Sequence, residues 1–363
     1  QGNTIMQVFV SPIQVFRNFM ISNPFKWWII LASLLISSII IPVVICICRK
    51  KHWYDTVDSR KAHTGNIPRL GSMGFVPAFI LTGIFYTLHD RAISASFIPI
   101  AVGGAIIFAF GIIDDFLNLR ARNKLFVQIV ATLIVVASGF RFKFIFEWEM
   151  PVFLSITLTF LWIIGIINAY NLIDGLDALC ASLSFLALFT YSFIFLFSSE
   201  GSSVICLLLC AAILGFLIYN KPKAKIFMGD GGSQFLGFMI ATLPLFETTR
   251  NYEQNKFFII LNLVSIPMID CFAAIWRRLR DHKGIMSPDK KHLHHKLLNI
   301  GFTKTSAVVF LDIIQILICI SVILSMALKG TRAKLLLSAT FIMMLVFFTV
   351  IHYNNRRKMQ QAS

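Results

Sequence analysis

The sequence predicts an all-α polytopic membrane protein, because it is unusually apolar, poor in charge and divided into long hydrophobic segments. Of its 363 residues, 57% are hydrophobic and only 14% are charged. A soluble domain holds about 45–50% apolar and about 25% charged residues. The apolar residues form runs that approach the roughly 20 residues a helix needs to cross a bilayer. A soluble domain is therefore excluded.

We predict eleven transmembrane helices, or ten, because two or three of the runs fall short of a full span. They cover residues 27–48, 72–89, 95–113, 125–140, 151–169, 178–198, 202–219, 232–246, 256–276, 306–327 and 334–351. Residues 27–351 would form one catalytic domain. Before it, residues 1–26 would comprise a tag remnant and an amphipathic segment, and residues 352–363 would be a cytosolic basic tail.

Charged residues predict which loops face the cytosol. Of the 33 Lys and Arg residues, 23 lie in the alternate loops 49–71, 114–124, 170–177, 220–231 and 277–305 and in the tail after 351. The positive-inside rule makes these loops cytosolic and puts the N-terminus outside. The same loops hold nine aspartates and seven of the eight histidines, whereas all five glutamates lie on the other side. Carboxylates and imidazoles on one strongly basic face predict a site there for anions and a metal.

The adjacent carboxylates Asp114 and Asp115 leave the third predicted span. Two neighbouring ionised carboxylates repel each other, which suits a general base or a position beside a metal ion. A solvated turn balanced by Arg120, Arg122 and Lys124 is an equal alternative.

Four polar residues follow the fifth span in the segment Asn168-Ala-Tyr-Asn171-Leu-Ile-Asp174-Gly-Leu-Asp177. Helical spacing puts Asn168, Asn171 and Asp174 on one face, with Asp177 one step further. Amide and carboxylate oxygens suit Mg²⁺, and Gly175 admits close approach by a ligand. A capped helix end would explain one aspartate but not the whole set.

A glycine-rich segment, Phe227-Met-Gly-Asp230-Gly-Gly-Ser233, precedes the eighth span. Its backbone amides and the start of the next helix are suited to a phosphate. A plain glycine turn is common, so the segment gains weight only beside the other motifs.

The longest basic loop contains His292-Leu-His294-His295 downstream of Arg277. Zinc is one interpretation, but no cysteine or HExxH spacing supports it. Imidazole and guanidinium groups that close over a diphosphate are at least as natural. A charged loop with incidental histidines stays an alternative.

The first loop runs from Asp55 to the turn Pro68-Arg69-Leu-Gly71. A simple membrane anchor is an alternative interpretation of its basic residues.

Taken together and in this order, the five loops resemble the polyprenyl-phosphate N-acetylhexosamine-1-phosphate transferases of the bacterial WecA/TagO type. The family pattern runs roughly RKxHxxxIPRxGG, DDxxNLRxRxK, NAxNxIDGxD, FMGDxGS and HxHH, and the match covers nearly the whole chain. Ser72 departs from it, since the family has a second glycine there.

The resemblance implies a function at the cytosolic face of the bacterial inner membrane. The enzyme would transfer a sugar 1-phosphate, with GlcNAc-1-phosphate expected, from a UDP-N-acetylhexosamine to polyprenyl (undecaprenyl) phosphate and release UMP. This would initiate a cell-surface glycan such as lipopolysaccharide or teichoic acid. Direct attack by the acceptor phosphate is favoured over a covalent intermediate.

The resemblance also implies roles for individual residues. It implies catalytic roles for Asp114, Asp115, Asp174, Lys124, His292, His294 and His295. It implies substrate binding by Phe227, Gly175, Asp177, Asn168 and Arg277. Mg²⁺, with Mn²⁺ as a partial substitute, would be held by Asn171 and Asp230.

Three alternatives are weighed against this interpretation. The phospho-MurNAc-pentapeptide transferases of the same family carry a triple-His signature, which His292-Leu-His294-His295 does not match. A CDP-alcohol phosphotransferase needs Ala-Arg shortly after Asp-Gly, which is absent after Gly175. A transporter would use the intramembrane acids Asp270 and Asp312, but no internal repeat supports it. No nucleic-acid partner is expected, and a homodimer is left open.

Overall fold

The computed structural model describes residues 12–22, 24–54, 67–89, 91–246, 250–284, 292–328 and 330–361. These ranges are helical apart from short connections and one hairpin. The helices are α1 (Pro12–Ile21), α2 (Phe25–Lys51), α3 (Ser72–His89), α4 (Arg91–Leu117), α5 (Ala121–Ala137), α6 (Val152–Ile173), α7 (Leu179–Phe195), α8 (Glu200–Asn220), α9 (Asp230–Phe246), α10 (Arg250–Leu263), α11 (Ser265–Arg280), α12 (Leu293–Ile300), α13 (Lys304–Ala327) and α14 (Thr331–Gln361). Strands β1 (Phe144–Ile145) and β2 (Trp148–Glu149) pair antiparallel between α5 and α6.

Ten of the eleven predicted apolar segments each lie largely in one helix, and the segment 256–276 is divided between α10 and α11, which confirms the helical membrane class. Among the described residues, seven helices are long and apolar enough to cross a bilayer, namely α2, α3, α4, α6, α8, α13 and α14. An eighth span is formed if α10 and α11, bent by 76° at their junction, count as one. Helices α5, α7 and α9 have 17 residues each. Length and composition thus support seven or eight spans, and the predicted eleven are not confirmed.

Helix α9 forms the centre of the bundle, where it packs chiefly against α4 and α6. Its residues from Gly231 to Leu245 are all buried, so the helix is enclosed by protein on every side. Gly111 of α4 lies directly against Gly231 of α9. This close approach brings the end of α4 beside the beginning of α9.

The short helix α12 packs against α13 and α14. Helix α14 continues through Gln361, so residues 352–361 of the predicted tail extend the last helix. The ammonium of Lys358 donates to the carbonyl of Ile300 at 2.7 Å, at the end of α12.

Candidate active site

The centre of the site is a lysine held between two carboxylates. Lys124, in the first turn of α5, lies 2.6 Å from Asp114 Oδ2 and 2.6 Å from Asp230 Oδ2. The side chain of Asp114 is buried, whereas those of Lys124 and Asp230 stay about one-quarter exposed, at 27% and 25%. Three helix ends therefore meet at one ammonium group that a ligand can reach.

Asp115 has a different environment from its neighbour Asp114. Its Oδ1 accepts from the backbone N–H of Asp230 at 2.8 Å, and its Oδ2 accepts from that of Gly231 at 3.1 Å. Arg69 completes the arrangement with Nη2 at 2.9 Å from Oδ1. Asp115 thus caps the start of α9. The two amides expected to face a phosphate bind this carboxylate instead.

The backbone of the first loop pairs with the glycine-rich segment. Phe227 donates to the carbonyl of Pro68 at 2.7 Å, and Gly71 donates to the carbonyl of Phe227 at 2.8 Å. Gly229 has a φ of +79°, and a Cβ there would collide with Asp115 and the carbonyl of Arg69. Only glycine fits this turn, which sets the direction in which α9 begins.

Asn171, on the last turn of α6, joins the centre. Its Nδ2 lies 3.2 Å from Asp230 Oδ1 and 3.0 Å from Ser233 Oγ. Asn168, one turn earlier, points elsewhere, because its Nδ2 donates to Gln128 Oε1 at 2.8 Å and to the carbonyl of Ile164 at 2.8 Å. Asn168 and Asn171, which were predicted to share one face of the helix, therefore bind different partners.

The turn after α6 carries two further aspartates. Burial, reinforced by repulsion from Asp230, Asp115 and Asp177, raises the pKa of Asp174 to about 7. Asp177 Oδ2 accepts from the backbone N–H groups of Lys223 and Ala224, each at 3.1 Å. Asp177 thus ties this turn to the loop that leads to Phe227.

The histidine helix α12 closes against the same turn. A Cβ at Gly175 would collide with the imidazole of His294, so glycine is required for this approach. Burial, followed by the nearby His295, lowers the pKa of His294 to about 3. His294 Nδ1 has no hydrogen-bond partner among the described residues. The predicted substrate ligand Arg277 is also buried, in the last turn of α11.

Some predicted elements lie outside the described residues. These are the first-loop positions Asp55, Asp58, Arg60, Lys61 and His63, together with the segment 285–291 that precedes the histidines. The sequence motifs did not indicate two polar residues near the site, Gln128 and Gln234. Gln128 Nε2 donates to Gln234 Oε1 at 3.1 Å. Each lies four residues after a site residue, Lys124 or Asp230, and this one-turn spacing could have revealed them.

The donor set of the centre fits a hard cation. Within the described part of the chain, no group of three or more His, Cys, Asp or Glu residues has the arrangement of a metal site. Yet two carboxylates already share one cation, the ammonium of Lys124, and an amide side chain adjoins them. Oxygen donors of this kind suit Mg²⁺ in company with phosphate oxygens. These residues are of the type that would hold a cation together with phosphate oxygens.

Comparisons with known proteins agree with this geometry. Glycosyl transferase family 4 matches residues 97–247, which contain Asp114, Lys124, Asn171 and Asp230. A Bacillus subtilis protein named as a probable undecaprenyl-phosphate N-acetylglucosaminyl 1-phosphate transferase is 35% identical over 333 residues, 88% of this chain and 89% of its own length. This chain belongs to the polyprenyl-phosphate N-acetylhexosamine-1-phosphate transferase family.

Two further relatives of this family are more distant. The decaprenyl-phosphate N-acetylglucosaminephosphotransferase of Mycobacterium tuberculosis H37Rv is 32% identical over 69% of this chain and 70% of its own length. The undecaprenyl-phosphate alpha-N-acetylglucosaminyl 1-phosphate transferase of Escherichia coli K12 is 29% identical over 74% of this chain and 75% of its own. Membership makes the chain a glycosyl-1-phosphate transferase and a multi-pass bacterial membrane protein. It confirms the resemblance to this family that the sequence motifs indicated. The CDP-alcohol phosphotransferase and transporter interpretations were therefore wrong.

Proposed function

We propose that this transferase moves N-acetylglucosamine 1-phosphate from UDP-N-acetylglucosamine to a polyprenyl phosphate and releases UMP, as the first step of a cell-surface glycan. The observation that carries the proposal is the cluster in which Lys124 lies between Asp114 and Asp230. The names of the relatives support the choice of sugar and lipid. The choice of undecaprenyl phosphate follows the Bacillus and Escherichia relatives.

The chemistry needs positioning and charge neutralisation more than covalent help. An oxygen of the acceptor phosphate attacks the phosphorus that bears the sugar, a new P–O bond forms, and the bond to the UMP oxygen breaks. In this scheme Lys124 exchanges a carboxylate contact for the incoming phosphate oxygens. Asp114, fixed by the backbone N–H of Leu119 at 2.8 Å, orients the acceptor.

Other residues would hold the nucleotide sugar. Asn171 and Asp230 would hold Mg²⁺, which supplies positive charge to the diphosphate when bound. Phe227 and Asp177 would receive the uracil end, because the hydrogen bonds of Asp177 tie their two loops together. His294, pressed against Gly175, would close over the diphosphate.

We further propose eleven crossings, with the N-terminus outside and the site on the cytosolic face of the inner membrane. The three shorter helices α5, α7 and α9 would then be spans as well, which lies within the roughly 17–25 residues seen for spanning helices. Each of these helices begins at a loop of the site. Because the helices are short, these loops would lie deeper than the membrane–water interface.

The experiment uses purified full-length protein, polyprenyl phosphate and a panel of UDP-sugars, with released UMP and labelled lipid as readouts. UDP-GlcNAc should be the best donor, Mg²⁺ should be required, Mn²⁺ should substitute partly and Ca²⁺ poorly. Asp230→Asn should abolish transfer while the protein stays folded. The matched control is Asp281→Asn, because Asp281 pairs with Arg280 at 3.0 Å on the exposed end of α11.

Two results would contradict the proposal. Transfer by Asp230→Asn at the parent rate under saturating Mg²⁺ would remove Asp230 from the metal site. Release of UMP only from UDP-MurNAc-pentapeptide would assign the chain to the peptidoglycan-precursor branch of the family.

A further inference from the structure

Asp270 is a buried acid on α11 that the proposed chemistry does not use. Its exposure is 1%, and a carboxylate so deeply buried is retained only where specific groups compensate its desolvation. The compensation comes from the beginning of α12. Asp270 Oδ2 lies 2.9 Å from His292 Nδ1, and Oδ1 accepts from the backbone N–H of Leu293 at 2.9 Å.

This contact supplies α12 with the cap that its own sequence lacks. His292 stands at the N-cap position of the helix and makes no side-chain capping hydrogen bond. The carboxylate of Asp270 accepts from the first turn instead, which also offsets the positive end of the helix dipole. The position of α12 therefore depends on a residue in another helix.

The same carboxylate selects the tautomer of the histidine. An ionised carboxylate can only accept hydrogen bonds, so the shared hydrogen must lie on His292 Nδ1. This leaves Nε2 as the nitrogen available to a ligand. The His292 ring is nearly parallel to that of His294, with 6.0 Å between centroids, and His294 touches Gly175 in the turn after α6. His292 therefore lies one ring away from the histidine that contacts the turn after α6.

We propose that Asp270 is a positioning residue, which fixes both the place of α12 and the tautomer of His292 for contact with the substrate diphosphate. The inference rests on the proposed function, because it assumes that His292 meets the nucleotide sugar. Asp270 itself need not touch the substrate.

Asp270→Asn separates the two effects of the carboxylate. The asparagine oxygen can still accept from Leu293 N–H, so the cap is preserved. Its amide nitrogen would then face His292 Nδ1 and donate to it, which would put the ring hydrogen on Nε2. The expected result is a folded protein in which the tautomer of His292 is reversed.

Steady-state kinetics of purified protein test this directly. Asp270→Asn should lower kcat by about 10- to 100-fold, the loss typical when a carboxylate partner that orients a ligating histidine is removed. The KM for UDP-GlcNAc should change less than about 3-fold, since misoriented imidazole affects mainly the transition state. Thermal stability should stay close to that of the parent.

A double-mutant cycle distinguishes positioning from general damage. In a His292→Ala background, Asp270→Asn should cause little further loss, because its effect acts through the missing ring. The matched control is Asp312→Asn, which removes another acid of a predicted span that is bound to Ser182 Oγ at 2.7 Å and should retain parental kcat. If the kcat losses of the two single variants multiply in the double variant, the proposal is overturned. A parental kcat in Asp270→Asn would also overturn it.

A measurement on the parent protein covers the case in which Asp270→Asn does not fold. Nitrogen-15 NMR of labelled histidines, with the His292 signal assigned from its absence in His292→Gln, should show a protonated Nδ1. An unprotonated His292 Nδ1 would overturn the proposal. If the parent itself transfers no sugar phosphate from UDP-GlcNAc, the proposed function fails, whereas an active parent with a bare Nδ1 contradicts only the role of Asp270.

Discussion

Lys124 connects the acceptor side and the nucleotide side of the site. Its ammonium contacts Asp114 of α4 and Asp230 of α9 at the same distance, 2.6 Å. Two carboxylates so close to each other would repel without this cation. Lys124 therefore holds the two carboxylates together and is placed to contact a phosphate group of the substrates.

Lys124→Ala is predicted to raise the KM for polyprenyl phosphate more than the KM for UDP-GlcNAc, because in the proposed scheme the ammonium of Lys124 binds the oxygens of the incoming acceptor phosphate. Initial rates with each substrate varied in turn provide the measurement. A larger rise for UDP-GlcNAc would place Lys124 on the nucleotide side. Lys124→Arg is an unsuitable control, since a planar guanidinium does not replace a point charge.

Asp115 is predicted to matter for stability more than for the chemical step. Asp115→Ala would leave two backbone N–H groups of α9 without their acceptor and Arg69 without its carboxylate, at a cost of about 3–5 kcal/mol. Thermal unfolding in detergent should show a clear loss, and Asp115→Asn, which keeps one acceptor oxygen, a smaller one. An Asp115→Ala protein that is as stable as the parent yet inactive would instead indicate direct participation in transfer.

His294 is predicted to make the folded protein sensitive to acid. Its pKa is about 3 in the folded protein because it is buried beside His295, against about 6.5 in an unfolded chain. The unfolded state binds the proton more readily in this window, so stability is full above pH 6.5 and falls as pH drops below it. His294→Gln should flatten this dependence between pH 6.5 and 4, measured as the difference in unfolding temperature from the parent. Parallel curves for the two proteins would contradict the assignment.

At the scale of the helices, a layer of three amides lies one turn inside the site. Gln128, Asn168 and Gln234 come from α5, α6 and α9, the helices that carry Lys124, Asn171 and Asp230. Gln128 Oε1 accepts from Asn168 at 2.8 Å, and its Nε2 donates to Gln234 at 3.1 Å. Because buried amides need partners, this layer fixes the mutual register of the three helices.

Gln128→Leu is predicted to lower both stability and kcat. It leaves the buried Gln234 Oε1 without its donor, at about 1–3 kcal/mol for an unsatisfied group, and removes one of the two acceptors of Asn168 Nδ2. The helices that hold the reacting groups are thereby loosened. The matched control is Gln315→Leu, since Gln315 is buried on α13 and donates to the carbonyl of Leu263 at 2.9 Å. The control should lose stability with kcat unchanged. Equal kcat losses in both variants would show that the amide layer has no special link to the site.

At the scale of the whole molecule, ion pairs join loops that were predicted on the same side of the membrane. Lys26 contacts Glu200 at 2.8 Å, and Lys334 contacts Glu147 at 2.6 Å, all on the predicted outer side. The backbone pairing of Phe227 with Pro68 and Gly71 likewise joins the first and fourth of the loops that were predicted to be cytosolic. Each of these contacts joins loops that the predicted topology puts on the same side.

The proposed topology is open to a reporter test. Green fluorescent protein fused after Ser363 should fluoresce, because the C-terminus is expected in the cytosol. Alkaline phosphatase fused after Ser199, in the loop before α8, should be active outside. A dark C-terminal fusion together with an inactive fusion at Ser199 would invert the orientation, and a mixed result would change the number of crossings.

The membrane class, the helical segments and the four residues of the central cluster could be predicted from the sequence, whereas the break between α10 and α11 could not. Apolar length fixes a membrane helix because the bilayer core leaves backbone groups no other partner. Motif order identified Asp114, Lys124, Asn171 and Asp230, which the structure brings together.

Tertiary structure decided which of the polar residues share a partner. Asp115 and Asp114 are adjacent in sequence, yet one caps α9 and the other pairs with Lys124. Likewise, Asn168 faces Gln128, and Asp270 reaches across to His292. Local spacing defines the face of a helix on which a side chain lies, but the neighbour on that face depends on how the helices pack. That neighbour comes from a distant part of the chain, and only the folded arrangement of α4, α5, α6, α9, α11 and α12 specifies it.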